Sequence, residues 1–305
     1  MAIPDFQSLM LPALALLDKE SPRSTAELRE ALAEQFNLTS EELVHLLPSG
    51  KQTTFTNRVA WAYSYLKQAG LILSPKRGVY EIAPRGREVV RDKPLRIDIS
   101  FLTQFPEFQA FRQSSDAGVM PNPNSQPDPV SNVLTPDEEI RAGYDRLRAA
   151  LASQLLDKVK AITPAGFEQL VVDLLVALGY GGSRKDAGQV VGGGGDEGID
   201  GIIKEDRLGL DTIYLQAKRW QGTVGRPEIQ RFAGALQGQR ARKGVFITTS
   251  SFTADARSYA SGLQTTIVLI DGPMLAQLMM DAGIGVSEAE TIRILKADED
   301  YFDGM

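Results

Sequence analysis

Apolar positions recur at helical spacing through the first hundred residues and at strand spacing later in the chain, and a stretch with neither period separates the two. Phe6 to Leu17 carries a helical stripe. Ser24-Thr-Ala-Glu27 has the spacing at which a hydroxyl residue and a glutamate satisfy each other's backbone N–H groups, so it opens a second helix reaching about Phe36. Thr39-Ser-Glu-Glu42 opens a third, stopped by Pro48 and Gly50. Phe55, Val59, Ala62 and Leu66 define a fourth, ended by Gly70. LILS and VYEIA then flank PKRG as a hairpin with a basic tip. Helices followed by such a hairpin predict a winged-helix domain over residues 1–100.

Residues 101–136 are expected to be a linker. Their later part, QSSDAGVMPNPNSQPDPVSNVLTP, is dense in Pro, Asn, Ser and Asp and has no apolar period with which to offset the entropy of ordering it. Thr135-Pro-Asp-Glu138 caps a long helix running towards Lys160, and Thr163-Pro164 starts another, with Phe167, Leu170, Val171, Leu174, Leu175 and Leu178 on one stripe. Strands are expected near 188–191, 199–204 and 212–218, then a helix from Pro227, a buried strand GVFITTS, and a helix from Thr253. A terminal strand is expected just before the acidic tail KADEDYFDGM. The fold class is therefore α+β in two domains, with an α/β domain over residues 137–305.

Composition narrows the chemistry. The chain has no cysteine, which removes disulfides and thiolate metal sites and fits a reducing cytoplasm. Its one histidine, His45, lies in the N-terminal half, in a short amphipathic helix where a structural role is expected. The C-terminal half therefore builds neither a histidine triad nor a histidine metal site, and its acid–base work falls to carboxylates, lysine, tyrosine or water on a metal. No apolar run reaches the ~18 residues that a membrane span needs, and no basic segment precedes the first apolar residues as in a signal peptide. The net charge of −6 hides two basic islands. Residues 51–98 hold ten Lys/Arg against four Asp/Glu, and residues 216–243 hold seven against one. Polyanion binding follows such local fields rather than total charge.

In a winged helix the last helix before the hairpin enters the major groove and the hairpin tip touches backbone. The face opposite Phe55 and Val59 offers Thr54, Asn57, Arg58, Trp61 and Tyr65. Asn57 and Arg58 suit base edges, and Lys76 and Arg77 suit phosphate. Trp61 and Tyr65 also fit packing against the first helix. In the second domain Asp200 starts a strand, and Gln216 and Lys218 lie two apart on the next, hence on one face. Antiparallel pairing of those strands brings a carboxylate, an amide and an ammonium group around one point. Asp200 and the Gln216 amide oxygen are ligand types for a hard divalent cation, and Lys218 can stabilise developing negative charge. Arg219 and Arg226 are candidate phosphate contacts; Gln230 is as well suited to a surface role.

Asp, fifteen intervening residues, then Gln-Ala-Lys resembles the signature of the PD-(D/E)xK nucleases. The surrounding GFEQLVVDLLVALGY, GDEGIDG, LQAKRW and GVFITTSSFTADARSYA resemble an Mrr-type restriction endonuclease over most of residues 163–271, and the upstream domain and linker match that layout. The resemblance implies an αβββαβ restriction-endonuclease-like core, magnesium (or manganese) as cofactor, and double-stranded, methylated DNA as substrate. It also makes Glu168 the candidate second acid, beside the alternatives Asp196 and Glu197. Two departures stand out: Ile199 replaces the usual proline, and Gln216 the usual acid. Gly193 to Gly198 spells a dinucleotide-binding pattern, but a strand follows it rather than a helix, and no phosphate-binding loop occurs, so no ATP is expected. Two other readings stay open: a DNA-binding regulator with a degenerate nuclease fold, and a nuclease specific for DNA structure. Cutting both strands favours a homodimer or larger assembly.

Overall fold

The computed structural model describes residues 3–116, 133–181, 189–190, 198–205, 211–298 and 300–301. The chain divides into two compact units, Met1–Asp145 and Arg146–Met305.

In the first unit α1 (Phe6–Lys19), β1 (Arg23–Ser24), α2 (Thr25–Gln35), α3 (Ser40–Val44) and α4 (Thr54–Gln68) precede a hairpin of β2 (Ile72–Lys76) and β3 (Val79–Ile82). Both capping boxes legible in the sequence form, Ser24 with Glu27 and Thr39 with Glu42. The three strands make an antiparallel sheet in the order β1-β3-β2. Phe6, Leu9, Met10, Ala13, Leu14 and Leu17 of α1 meet Phe55, Val59, Ala62, Tyr63 and Leu66 of α4 in one buried core. Three short helices follow: α5 (Pro84–Arg91), α6 (Ile99–Leu102) and α7 (Pro106–Asp116).

This corrects the expected start of the linker at residue 101. Leu102 and Phe108 are fully buried in the N-terminal core, and the Phe108 ring lies 5.6 Å from that of Tyr65. Leu102, Phe105, Phe108 and Phe111 recur every third residue and cover α4, so the segment orders by burying aromatic surface. The heart of the expected linker, residues 117–132, lies outside the described residues.

The long helix α8 (Pro136–Ala161) begins in the first unit. In the second unit α9 (Pro164–Ala177), β4 (Gln189–Val190), β5 (Gly201–Lys204), β6 (Thr212–Lys218), α10 (Arg226–Gly238), β7 (Lys243–Thr248), α11 (Ala254–Ser261), β8 (Thr266–Ile270) and α12 (Gly272–Asp281) follow in turn. The five strands lie in sequence order; β4, β5 and β6 pair antiparallel, while β6, β7 and β8 pair parallel. Leu155 and Val159 of α8, with α9 and α12, bury one face of the sheet; α10 and α11 bury the other. Among residues 287–298 no strand forms, so the terminal strand expected before the acidic tail is not there. The reason is local: that segment has no strand beside it to supply backbone partners.

Gly86 of α5 shows how tightly the first unit closes. A Cβ there would lie 2.1 Å from the Leu71 carbonyl oxygen and 2.9 Å from Ile82 Cγ1. Gly to Ala inside a helix ordinarily stabilises by up to about 1 kcal/mol. We predict the opposite sign for Gly86→Ala, because backbone must move. Urea denaturation followed through the N-terminal aromatics should give a lower midpoint; an unchanged or raised one would contradict this packing.

Candidate active site

The site is built where the antiparallel half of the sheet meets the parallel half. Asp200 stands one residue ahead of β5, and its backbone N–H donates to the Leu215 carbonyl at 2.8 Å, locking it beside β6. Gly198, two residues earlier, has φ +103°, a conformation that other residues rarely adopt. A Cβ there would lie 3.0 Å from Gln216 Oε1, so the glycine also leaves room for that amide.

Gln216 is 3% exposed and donates through Nε2 to Asp200 Oδ2. The Ala217 backbone N–H donates to the same oxygen at 2.8 Å, and Lys218 Nζ lies 4.0 Å from it. One carboxylate oxygen thus gathers three consecutive residues of β6. Glu168, half-buried on α9, belongs to the same cluster: burial first, then the charge of Asp200, raise its carboxyl pKa, while Lys218 lowers it. The four residues expected to form the centre are therefore brought together. Asp196 and Glu197 lie outside the described residues.

The donor set suits a hard divalent cation. Burial first, and then the charge of Asp200, raise the proton affinity of Glu168, and the Lys218 ammonium offsets this in part. Among the described residues no third carboxylate joins them.

Three hydroxyls that sequence reasoning passed over hold the chain beyond β6. Thr248 donates to the Lys218 carbonyl at 2.8 Å, Thr249 to the Trp220 carbonyl at 2.9 Å, and Ser250 to the Gln221 carbonyl at 3.3 Å. Thr248 and Thr249 are buried, and Thr248 is in register with Lys218 across the parallel β6–β7 pair. The polar TTS at the end of an otherwise apolar strand was the available signal: buried hydroxyls need partners.

The candidate DNA contacts fare differently. Arg219 Nη1 donates to the Lys160 and Ile162 carbonyls at 2.8 and 2.7 Å, fixing the turn after α8. Arg226 pairs with Asp255 at 3.4 Å and stands 4.8 Å above the Tyr259 ring. Gln230 is exposed on α10. Lys76 and Arg77 are exposed at the tip of the β2–β3 hairpin.

Asn57 and Arg58 face protein, contrary to their expected place on an open reading surface. Asn57 is 4% exposed. Its Nδ2 donates to Asp137 Oδ2 at 3.0 Å, and its Oδ1 accepts from the buried Thr135 hydroxyl at 2.8 Å. Trp61 Nε1 donates to the same Asp137 oxygen at 2.7 Å. Arg58 Nε donates to Glu138 Oε1 at 3.0 Å, and its Nη1 reaches the Ile3 and Pro4 carbonyls at 2.6 and 3.1 Å. Tyr65 packs against Phe6, Phe108 and Phe111. Thr54 is buried with its hydroxyl 3.0 Å from His45 Nδ1, which gives the one histidine a structural partner. This face of α4 is thus occupied by the chain's own segment 135–138 and α7, because its donors match two carboxylates at the start of α8.

Comparison with known proteins gives the family. Residues 159–279 match the restriction endonuclease family of the Mrr catalytic region, and residues 6–92 match the Mrr N-terminal domain. A protein of Escherichia coli (strain K12), a type IV methyl-directed restriction enzyme, is 38% identical over 308 residues, spanning 99% of this chain and 100% of its own. The chain belongs to the Mrr-type restriction endonuclease family. Two solved structures have lower similarity. The MspJI restriction endonuclease bound to a 27-mer oligonucleotide is 24% identical, covering 43% of this chain and 31% of its own, with a TM-score of 0.31. The DNA modification-dependent restriction endonuclease AspBHI is 16% identical, covering 70% and 56%, with a TM-score of 0.33.

The Asn57 network yields a prediction. Asn57→Ala leaves the Thr135 hydroxyl and one Asp137 bond unpaired inside protein, at a cost of about 1–3 kcal/mol. Thermal denaturation should show this loss. If Asn57→Ala instead keeps full stability and loses only DNA affinity, the residue reads bases and the network is incidental.

Proposed function

We propose that this chain is a modification-dependent restriction endonuclease that hydrolyses phosphodiester bonds in methylated double-stranded DNA with a divalent cation, magnesium or manganese. The observation that carries this reading is the convergence of Gln216, Ala217 and Lys218 on one oxygen of Asp200, with Glu168 beside it. The methyl-directed relative, matched over its whole length, supports the substrate class.

Asp200 and Glu168 would hold the cation, with Gln216 turning its amide oxygen towards it. When bound, such a cation lowers the pKa of water and neutralises charge on a phosphate. The remaining work belongs to the chain. The Lys218 ammonium, half-exposed, donates to a phosphate oxygen or orients the attacking water as negative charge develops. The Ala217 N–H fixes the Asp200 carboxylate plane. Thr248 fixes the backbone that carries Lys218, so the ammonium is placed before substrate arrives.

The first unit is best read as a winged helix, from its three-helix core and β1-β3-β2 sheet. Lys76 and Arg77 at the hairpin tip are its phosphate contacts in this reading. Arg219 and Arg226 contribute field around the site while making the structural contacts described above. Such a protein acts in the cytoplasm, where its DNA lies.

One assay tests the proposal: cleavage of methylated and unmethylated plasmid, with and without magnesium, by wild type, Asp200→Ala and Lys218→Ala. Wild type should cut only methylated plasmid, and only with magnesium. Each variant should lose at least about 100-fold in rate and still shift methylated DNA in a gel. Cutting by either variant at the wild-type rate would overturn the site, and equal cutting of unmethylated plasmid would overturn the substrate class.

A further inference from the structure

The sheet of the second unit ends in an open edge. β8 is last in the order β4-β5-β6-β7-β8, so among the described residues its outer backbone groups have no strand beside them. A groove of about 340 Å³ runs across one face of the sheet and reaches β8, lined by Leu175, Ile213, Val268, Ile270 and Leu278 and also by Glu205 and Lys243. Val268, in the middle of β8, is 44% exposed. An exposed, apolar, unpaired strand is a template for another strand.

The same chain carries a segment of matching chemistry. After α12, Ile284 and Val286 still pack on the core beside Leu155. The chain then leaves the body, and Thr291-Ile-Arg-Ile-Leu-Lys296 lies exposed without secondary structure. Ile292 is 70% exposed, Ile294 65% and Leu295 81%. Three large aliphatics in four residues are too many to leave in water without a partner. Ile292 and Ile294 are two apart, so in a strand they share one face. Among the described residues this segment pairs with no strand of its own chain.

We propose that Thr291–Lys296 of one copy adds as a sixth strand to the outer edge of β8 of a second copy, with Ile292 and Ile294 over the groove beside Val268. Charge favours a parallel arrangement. Glu288 and Glu290 precede the segment, and the exposed Arg242 stands at the start of β8, its carbonyl accepting from the Thr266 N–H at 3.0 Å. The exchange is reciprocal. Each copy supplies one segment and one edge, so two copies close into a symmetric dimer rather than a filament. Main-chain hydrogen bonds supply pairing, and the alternate aliphatics supply register. Such a dimer carries two copies of the Asp200 centre, one for each strand of a duplex.

The absence of cysteine from the chain makes the test clean. Full-length Val268→Cys and full-length Ile292→Cys or Ile294→Cys, carrying tags of different size, are mixed and oxidised. A disulfide-linked heterodimer is expected from the mixture, stronger than any homodimer of either variant alone. Light scattering should give a dimer or a multiple of it for wild type, and half that mass for Ile292→Asp combined with Ile294→Asp. The double variant changes side chains that are exposed in the single chain, so its helical circular dichroism signal should match wild type. No heterodimer in the mixture, a disulfide formed only within a chain bearing both cysteines, or an unchanged mass for the aspartate variant would each overturn the proposal.

Discussion

A single carboxylate oxygen organises the catalytic unit. Asp200 Oδ2 receives the Gln216 side chain and the Ala217 backbone N–H, and it faces the Lys218 ammonium. For that to happen, β5 must start one residue after the aspartate, β6 must pair with it antiparallel, and Gly198 must take a left-handed turn that leaves space for the amide. The parallel β7 then brings Thr248 opposite Lys218 and ties down its carbonyl. The two buried layers of helices keep this register, since a slip of one residue would turn Leu215 and Ala217 away from the layer of α8, α9 and α12 and Gln216 towards it.

The first unit is held together differently. Its aliphatic and aromatic core is conventional, but the start of α8 is joined to α4 by a buried polar network running from Thr135, Asp137 and Glu138 to Asn57, Arg58 and Trp61. Buried polar groups of this kind specify one arrangement, because any other leaves several donors and acceptors unpaired. The network fixes where the chain stands as it leaves the N-terminal unit. It also occupies this face of α4, while Lys76 and Arg77 at the hairpin tip are exposed.

Much of this was legible in the sequence. Both capping boxes, the Thr135–Glu138 start of α8 and the apolar stripes of α1, α4 and α9 were readable because capping and 3.6-residue periodicity are local rules. The meeting of Asp200, Gln216 and Lys218 was readable because one hairpin places all three. The partners of Asn57 and Arg58 were not. They lie about 80 residues away in sequence, and a polar helix face looks the same whether it meets DNA, water or the carboxylates of its own chain. The helix Pro106–Asp116 was missed for a related reason: its aromatics sit directly before a run of Ser, Pro and Asn that dominates the local composition.

Gln216 bonds Asp200 at the position where the PD-(D/E)xK signature that the sequence resembles has an acid. At an effective dielectric of about 20, unit charges ~4 Å apart interact by roughly 4 kcal/mol, so a carboxylate in its place repels Asp200 until a cation separates them. The most direct measurement is the cleavage rate against magnesium concentration for wild type, Gln216→Glu and Gln216→Leu. Gln216→Glu should cleave and reach half its maximal rate at lower magnesium than wild type. Gln216→Leu should be inactive at every concentration, since it removes both the bond to Asp200 and the amide oxygen. Wild-type cleavage by Gln216→Leu across the titration would contradict the account at its centre.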